Sequence, residues 1–336
     1  MFKFYLTQSD WNDATSFYVG IIEEAVKHIG EEVTRVDNAD SVTTDDYVVT
    51  INPKSFYAAY KKNPKSLINW FQGILPEESW FANIPKWKQV CAFIYYRMLE
   101  SFELKHSSLN FFVSNTMKEH YSEVYNYKKD NYVVMPCFNQ LLQENAFSPE
   151  KYEQPTFVYT GNLSKWQCFI PMVKLFKSIK QDLPSATLAI YTQDQKQAQA
   201  ILDECDVEAT IRYVPYQQLS EEIKQYKYGF ILREDVEVNR VATPTKMNSY
   251  LSCGIIPVYT DVVGGYKENL SQLKFAVPLK PGSNEGIEKL YELENKVIDY
   301  REVFQEYKSI FDKYYNVEDY VSLIAFSLKN HIIKSI

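Results

Sequence analysis

The sequence predicts an α/β protein of two domains, each built on a parallel sheet. Three observations predict it. The chain has 336 residues, enough for two cores of ordinary size. Short apolar runs alternate with helix-period segments, and a β-α-β order implies parallel strands with right-handed crossovers. Near residues 160 and 233, a strand runs into a polar loop that leads to a helix, a layout suited to anions.

The first domain is expected over residues 1–150. Residues 2–6 are apolar throughout, as a central parallel strand is. The polar loop 7–15 surrounds Trp11, and a helix over 16–29 stops at Gly30. Strands follow at 33–36 and 47–51. Ligands bind beyond the carboxyl ends of such strands, so the loop with Asp10, Trp11, Asn12 and Asp13 lies on the functional side. Residues 68–79 read as a strand ending in a loop. A strand at 111–114 leads into a helix through Met117, His120, Tyr121 and Val124. Residues 132–139 form the last strand and exit, and 140–155 a polar linker.

Residues 54–88 hold six lysines and two acids, Glu77 and Glu78, with three of the five tryptophans. Two readings stand. Aromatics interleaved with lysines suit an anionic membrane surface. Alternatively the aromatics fill the core and the lysines are solvated.

The second domain is expected over 151–315. Strand 156–160 runs into Gly161, Asn162 and Lys165; the glycine lets backbone N–H groups approach a phosphate and the lysine offers charge. Helices at 173–179 and 196–205 and strands at 186–191 and 211–214 continue the alternation. Residues 228–260 read as strand, polar loop, helix, strand. In them Thr243 is placed to cap a helix with Pro244 at its first position. Gly254 ends that helix. Pro257 suggests an edge or irregular strand. Arg233 and Lys246 bracket the helix start with two cations. A final strand lies near 275–278, and 285–315 is helical. Residues 317–333 are amphipathic, with Tyr320, Ile324, Leu328 and Ile332 in register.

Several segments carry a family resemblance. R-E-D-x-x-x-N-R-V-A-T-P-T-K from Arg233, followed by Y-L-S-C-G-I-I-P-V, resembles the donor-binding segment of GT-B glycosyltransferases. It is most similar to the retaining, family-four-like enzymes of bacterial surface polysaccharide synthesis. Y-x-G-x-L-S-K-W-Q at 159–167, W-x-Q-G-x-x-P-E-E at 70–78, F-V-S-N-T-M at 112–117 and V-M-P-C-F-N at 134–139 also fit it.

The resemblance implies two Rossmann-like domains facing across a cleft, with a terminal helix, 316–336, returning to the first. It implies transfer of a sugar from a UDP- or GDP-linked donor to a glycan or lipid-linked acceptor, with retention and without a metal or other cofactor. Arg233 and Lys246 then stabilise the leaving diphosphate. Gly161, Asn162, Lys165, Tyr216, Asn239, Thr245 and Ser249 contact the donor, and Asp13, Gln72, Glu77 and Glu78 the acceptor. The family carries a glutamate where this chain has Ser249. That departure leaves a second reading open: a catalytically silent GT-B subunit that supports a partner enzyme.

Composition excludes other classes. The net charge of −7 argues against nucleic acid as partner. Five scattered cysteines form no C-x-x-C, so neither a disulfide framework nor a zinc site is indicated. Nucleophile-elbow, P-loop and H-E-x-x-H motifs are absent. The four histidines adjoin no motif. The expected location is the cytoplasm, with contact at the inner face of the membrane through residues 54–88.

Overall fold

The computed structural model describes residues 1–8, 10, 11 and 13–333, the side chains of residues 13 and 14 excepted. The chain forms two compact units. One takes residues 1–139, 240–243 and those from 316 on; the other takes 140–239 and 244–315.

In the first unit β1 (Phe2–Tyr5), α1 (Asp13–His28), β2 (Val33–Val36), β3 (Tyr47–Thr50), α2 (Pro53–Tyr60) and β4 (Ser66–Phe71) come first. After them come α3 (Leu75–Glu78), α4 (Lys86–His106), β5 (Leu109–Phe112), α5 (Asn115–Tyr125) and β6 (Tyr132–Val134). The strands pair in the order β2-β1-β3-β4-β5-β6, all parallel. Every residue of β3, β4 and β5 is buried, as helices on both faces require. Tyr18 of α1 stacks on Trp70 of β4, ring centres 3.7 Å apart, and donates to the Met135 carbonyl at 3.0 Å. The pair ties a helix to the sheet through about 1 kcal/mol of ring contact beyond simple burial.

In the second unit β7 (Thr156–Thr160), α6 (Phe169–Asp182), β8 (Thr187–Tyr191), α7 (Gln195–Cys205), β9 (Thr210–Arg212) and α8 (Tyr216–Ile223) come first. Then follow β10 (Tyr228–Ile231), α9 (Glu237–Val241), α10 (Thr245–Ser252), β11 (Ile256–Thr260), α11 (Gly264–Leu270), β12 (Val277–Leu279), α12 (Glu288–Glu294) and α13 (Tyr300–Phe311). The α9 helix ends within the segment counted with the first unit. The sheet order is β12-β11-β10-β7-β8-β9, again all parallel. Numbered within the unit and read from β9, this is 3-2-1-4-5-6, the order of dinucleotide-binding folds. The last helix, α14 (Val317–Leu328), packs on α1 in the first unit and closes with a π-helical turn, Lys329–Ile333.

Some expectations need correction. Part of the polar loop after β10 is the short helix α9. Residues 285–315 form two helices, broken at 295–299 by Asn295 and Asp299, which caps α13 by accepting from Arg301 N–H. Pro257 does not mark an edge: β11 lies between β10 and β12, with Pro257 opposite Gly229. One missing N–H is tolerated because the neighbouring residues keep the ladder, Ile256 N–H donating to the Lys227 carbonyl at 2.8 Å. Residues 140–150, assigned by sequence to the first domain, join the second unit. Gln140 N–H donates to Asn248 Oδ1 (2.8 Å) and Gln143 N–H to the Ser252 carbonyl (3.0 Å).

The aromatic residues of 54–88 divide. Phe56, Trp70 and Phe71 are core, whereas Tyr57, Tyr60, Trp80 and Trp87 are exposed. Among the described residues no helix is long and apolar enough to cross a membrane.

Candidate functional site

In a sheet of this order the strand sequence reverses between β7 and β10, and ligands bind in the crevice beyond those strands' carboxyl ends. The two loops leaving β7 and β10 meet there. Gly161 follows β7 with φ 125°, a conformation rarely open to residues with a Cβ. The missing side chain also makes room, since a Cβ at 161 would lie 2.9 Å from Cε and Nζ of Lys246. Lys246 Nζ donates to Gln167 Oε1 at 2.8 Å and stands 4.3 Å from the centre of the Tyr159 ring.

Arg233 leaves β10 and is 5% exposed. Its backbone N–H donates to Thr260 Oγ1 at 2.7 Å, and its Nη1 to the Trp166 carbonyl at 3.3 Å. Its Nε is buried without a partner. Among the described residues, neither Arg233 nor Lys246 has a carboxylate partner. Burial lowers the proton affinity of both, and Arg233 lowers that of Lys246 further. Two cations drawn out of solvent, Arg233 fully and Lys246 in part, with no counter-charge are unfavourable until an anion joins them.

The α10 helix begins beside them. The preceding residue, Pro244, makes no side-chain cap, so the first-turn N–H groups of Thr245 and Lys246 are left for a ligand or solvent. Thr243 does not cap the helix as expected: its hydroxyl accepts from Cys137 N–H at 2.9 Å. Tyr250 secures α10 to the site, its hydroxyl accepting from Thr160 N–H at 3.2 Å. The absence of a side chain at Gly229 makes that possible, because a Cβ there would meet the Tyr250 ring at 2.5 Å. Ser249 turns back along the helix and donates to the Thr245 carbonyl at 3.2 Å.

The structure therefore brings Gly161, Arg233, Thr245 and Lys246 into one site. The side chains of Asn162 and Asn239 brace the loops of that site. Asn162 Oδ1 accepts from Ser164 N–H (3.1 Å), and buried Asn239 donates to the Glu234 carbonyl (2.9 Å). Lys165 is exposed. Tyr216 opens α8, its hydroxyl accepting from Gln140 Nε2 at 2.9 Å. Sequence reasoning missed Tyr159, Gln167 and Tyr250 as parts of the cation site. The first two sit within the Y-x-G-x-L-S-K-W-Q match and were open to being found.

The first unit has its own switch point, between β1 and β3. There Asn52 Nδ2 donates to both Asp10 carboxylate oxygens, at 2.7 and 2.9 Å. A cavity of about 410 Å³ adjoins them, lined among others by Asn69, Gln72, Gly73, Glu78, Glu100 and Glu103. Burial raises the affinity of Glu78 for its proton, pushes Glu100 up to about 8 and holds Glu103 well above the usual carboxylate range. Glu100 accepts from Leu75 N–H (3.0 Å) and Tyr125 OH (2.8 Å). Glu103 Oε1 accepts from Asn69 at 3.1 Å, whereas its buried Oε2 has no partner.

Of the acceptor-side expectations, Gln72 and Glu78 line this cavity. Glu77 turns elsewhere and accepts from Arg97 at 3.1 Å. The side chain of Asp13 lies outside the described residues. Glu100 and Glu103 were not anticipated.

No family model matches the chain, and no curated protein matches it by sequence. Solved structures do. One is a mutant of S. aureus TarM in complex with fondaparinux, alpha-GlcNAc-glycerol and UDP, at 10% identity and TM-score 0.61 over 91% of this chain. The chain spans only 58% of that TarM chain. Sucrose-phosphate synthase from Thermosynechococcus elongatus superposes at 11% identity and TM-score 0.72, over 100% of this chain and 99% of that one. HepE of Anabaena, in complex with UDP and glucose, gives 12% identity and TM-score 0.65, over 98% and 99%. With these neighbours and two six-stranded parallel sheets, the chain has the GT-B fold.

Proposed function

We propose that the protein is a glycosyltransferase that moves a sugar from a UDP- or GDP-linked donor to a glycan or lipid-linked acceptor in surface polysaccharide or glycan synthesis. The observation that carries this is the partnerless Arg233 Nε beside Lys246, at the switch point of the second sheet. Glycosyl transfer from such a donor releases a nucleoside diphosphate, and the charge that develops needs fixed cations and dipoles. Arg233 offers a planar fork, Lys246 a point charge and α10 its uncapped N-terminus. Gly161 keeps the backbone close, and Asn162, Lys165, Asn239, Tyr216 and Ser249 complete the donor side. The neighbours crystallised with UDP support the same reading.

The acceptor side belongs to the first unit: Asp13, Gln72, Glu77 and Glu78. Transfer proceeds with retention and without a metal, the two cations taking the metal's place. The protein works in the cytoplasm, in contact with the inner face of a membrane through residues 54–88.

Transfer from a panel of UDP- and GDP-sugars, with wild type beside Lys246→Met, tests the proposal. Turnover by wild type that survives EDTA and falls at least tenfold in the variant supports it, a loss of about 1.4 kcal/mol or more. Loss of activity in EDTA, restored by Mg²⁺, overturns the metal-free mechanism. The second reading, a silent subunit, is favoured by one observation: Ser249 has no acid to offer a sugar and bonds only its own helix. Donor binding without turnover on any acceptor selects it.

A further inference from the structure

The α4 helix is built inside out. Its inner face carries two buried acids, Glu100 and Glu103, which line the cavity of the first unit. Its outer face carries Trp87, Val90, Ile94, Tyr95 and Met98, spaced at helical intervals into one stripe. Trp87 is 65% exposed, Ile94 54% and Met98 69%. The stripe runs roughly 17 Å along the helix at 1.5 Å per residue. Scattered apolar residues on a surface need no explanation, but a continuous stripe marks a contact.

The exposed charge on this stretch of chain is of one sign. The protein carries a net charge of −7, yet every exposed charged side chain between residues 53 and 106 is a lysine. Lys86 and Lys88 stand at the start of the stripe and Lys105 at the end of the helix. Helix α2 packs against α4 by setting Tyr57 and Tyr60 edge-on to Phe102, and it brings Lys54 and Lys61 alongside. Lys61 lies 4.4 Å from the Tyr57 ring centre and Lys88 5.4 Å from that of Trp87. The acids of the stretch, Glu77, Glu78, Glu100 and Glu103, are half-buried or buried.

We infer that the outer face of α4 docks on an anionic lipid bilayer, with Val90, Ile94 and Met98 entering the acyl boundary and the lysines meeting the headgroups. Tryptophan and tyrosine favour the headgroup level, where an apolar ring and a polar tip are both satisfied. An amphipathic helix with basic flanks lies flat in this interface, and each lysine near an anionic surface adds to the attraction. A second copy of the chain fits the face less well, because a twofold contact centred on the stripe would turn Lys86 and Lys88 of one copy towards the Lys105 end of the other. The inference rests on the membrane contact proposed above and moves its centre from residues 54–88 to α4. Vesicle binding needs neither donor nor acceptor, so it fails or succeeds separately from sugar transfer.

The test is co-sedimentation of the full chain with phosphatidylcholine vesicles, with and without about one-third phosphatidylglycerol, at low and high salt. The variants are Trp87→Glu/Ile94→Glu/Met98→Glu and Lys86→Gln/Lys88→Gln. An unchanged melting transition, measured without vesicles, reports that each is folded. Wild type should partition onto the anionic vesicles and weaken at high salt. The triple variant should lose at least tenfold of that binding, and the lysine pair several-fold. Equal binding of wild type to neutral vesicles, or full binding by the triple variant, overturns the inference. So does a wild-type dimer that the triple variant makes monomeric while neither binds vesicles.

Discussion

Lys246 lies against Gly161 so closely that a Cβ at position 161 would be 2.9 Å from its ammonium nitrogen. The glycine is therefore a condition for where the cation stands. Gly161→Ala should displace Lys246 from Gln167 and Tyr159 and strain a backbone held at φ 125°. The expected cost is about 1–3 kcal/mol in stability, read by denaturant titration. Nucleotide affinity should fall about tenfold or more by calorimetry.

Arg233 should trade stability for binding. A buried cation without a counter-charge is less stable than an apolar side chain of similar volume. Arg233→Met should thus raise the melting temperature of the unliganded protein, by a gain of about 1–2 kcal/mol. It should also weaken nucleoside diphosphate binding on the order of 100-fold. A variant that loses both stability and binding contradicts this account of the site.

Glu100 makes stability depend on pH. Its carboxyl titrates near 8 in the fold, against 4.5 for the free group, because burial disfavours the charge. Between those values the folded chain holds more protons than the unfolded one. The contribution of Glu100 to stability is greatest below pH 4.5 and is lost as pH rises towards 8. Glu100→Gln removes the titration and can keep the bonds to Leu75 N–H and Tyr125. It should be more stable than wild type at neutral pH, by an amount on the order of 3 kcal/mol, with the advantage vanishing in acid. Melting curves over a pH series read the crossing.

Lys151 holds three ends of chain together in the second unit. Its buried ammonium donates to the carbonyls of Ala146, Lys224 and Cys253, the last two closing α8 and α10. Lys151→Met leaves those acceptors unpaired and should cost about 3 kcal/mol in denaturant unfolding, with nucleotide affinity unchanged once folded.

The alternation of strands and helices was legible because each parallel strand is an uninterrupted apolar run between polar loops. Residues 156–160 and 47–50 needed only that signal. Gly161, Arg233 and Lys246 could be found from a glycine after a strand and cations at a helix start. What local pattern could not give was the partner across the fold. Gln167 meets Lys246 across 79 residues, and Thr243 turned from its helix to Cys137, 106 residues away.

The α4 helix escaped for a different reason. Sequence reasoning assigns apolar stripes to the core and acids to solvent. Here Met98 is exposed, and Glu103, five residues on, is 1% exposed. Only the tertiary setting, a cavity on one side and open surface on the other, distinguishes that helix from an ordinary one.

If Arg233 and Lys246 grip a diphosphate, the phosphates supply most of the nucleotide's affinity. Uridine, UDP, guanosine and GDP are titrated into wild type and into Arg233→Met by calorimetry. Wild type should bind one of the two diphosphates on the order of 100-fold more tightly than its nucleoside, and Arg233→Met should erase most of that difference. A diphosphate and its nucleoside binding wild type alike, or a difference that Arg233→Met leaves intact, would contradict it.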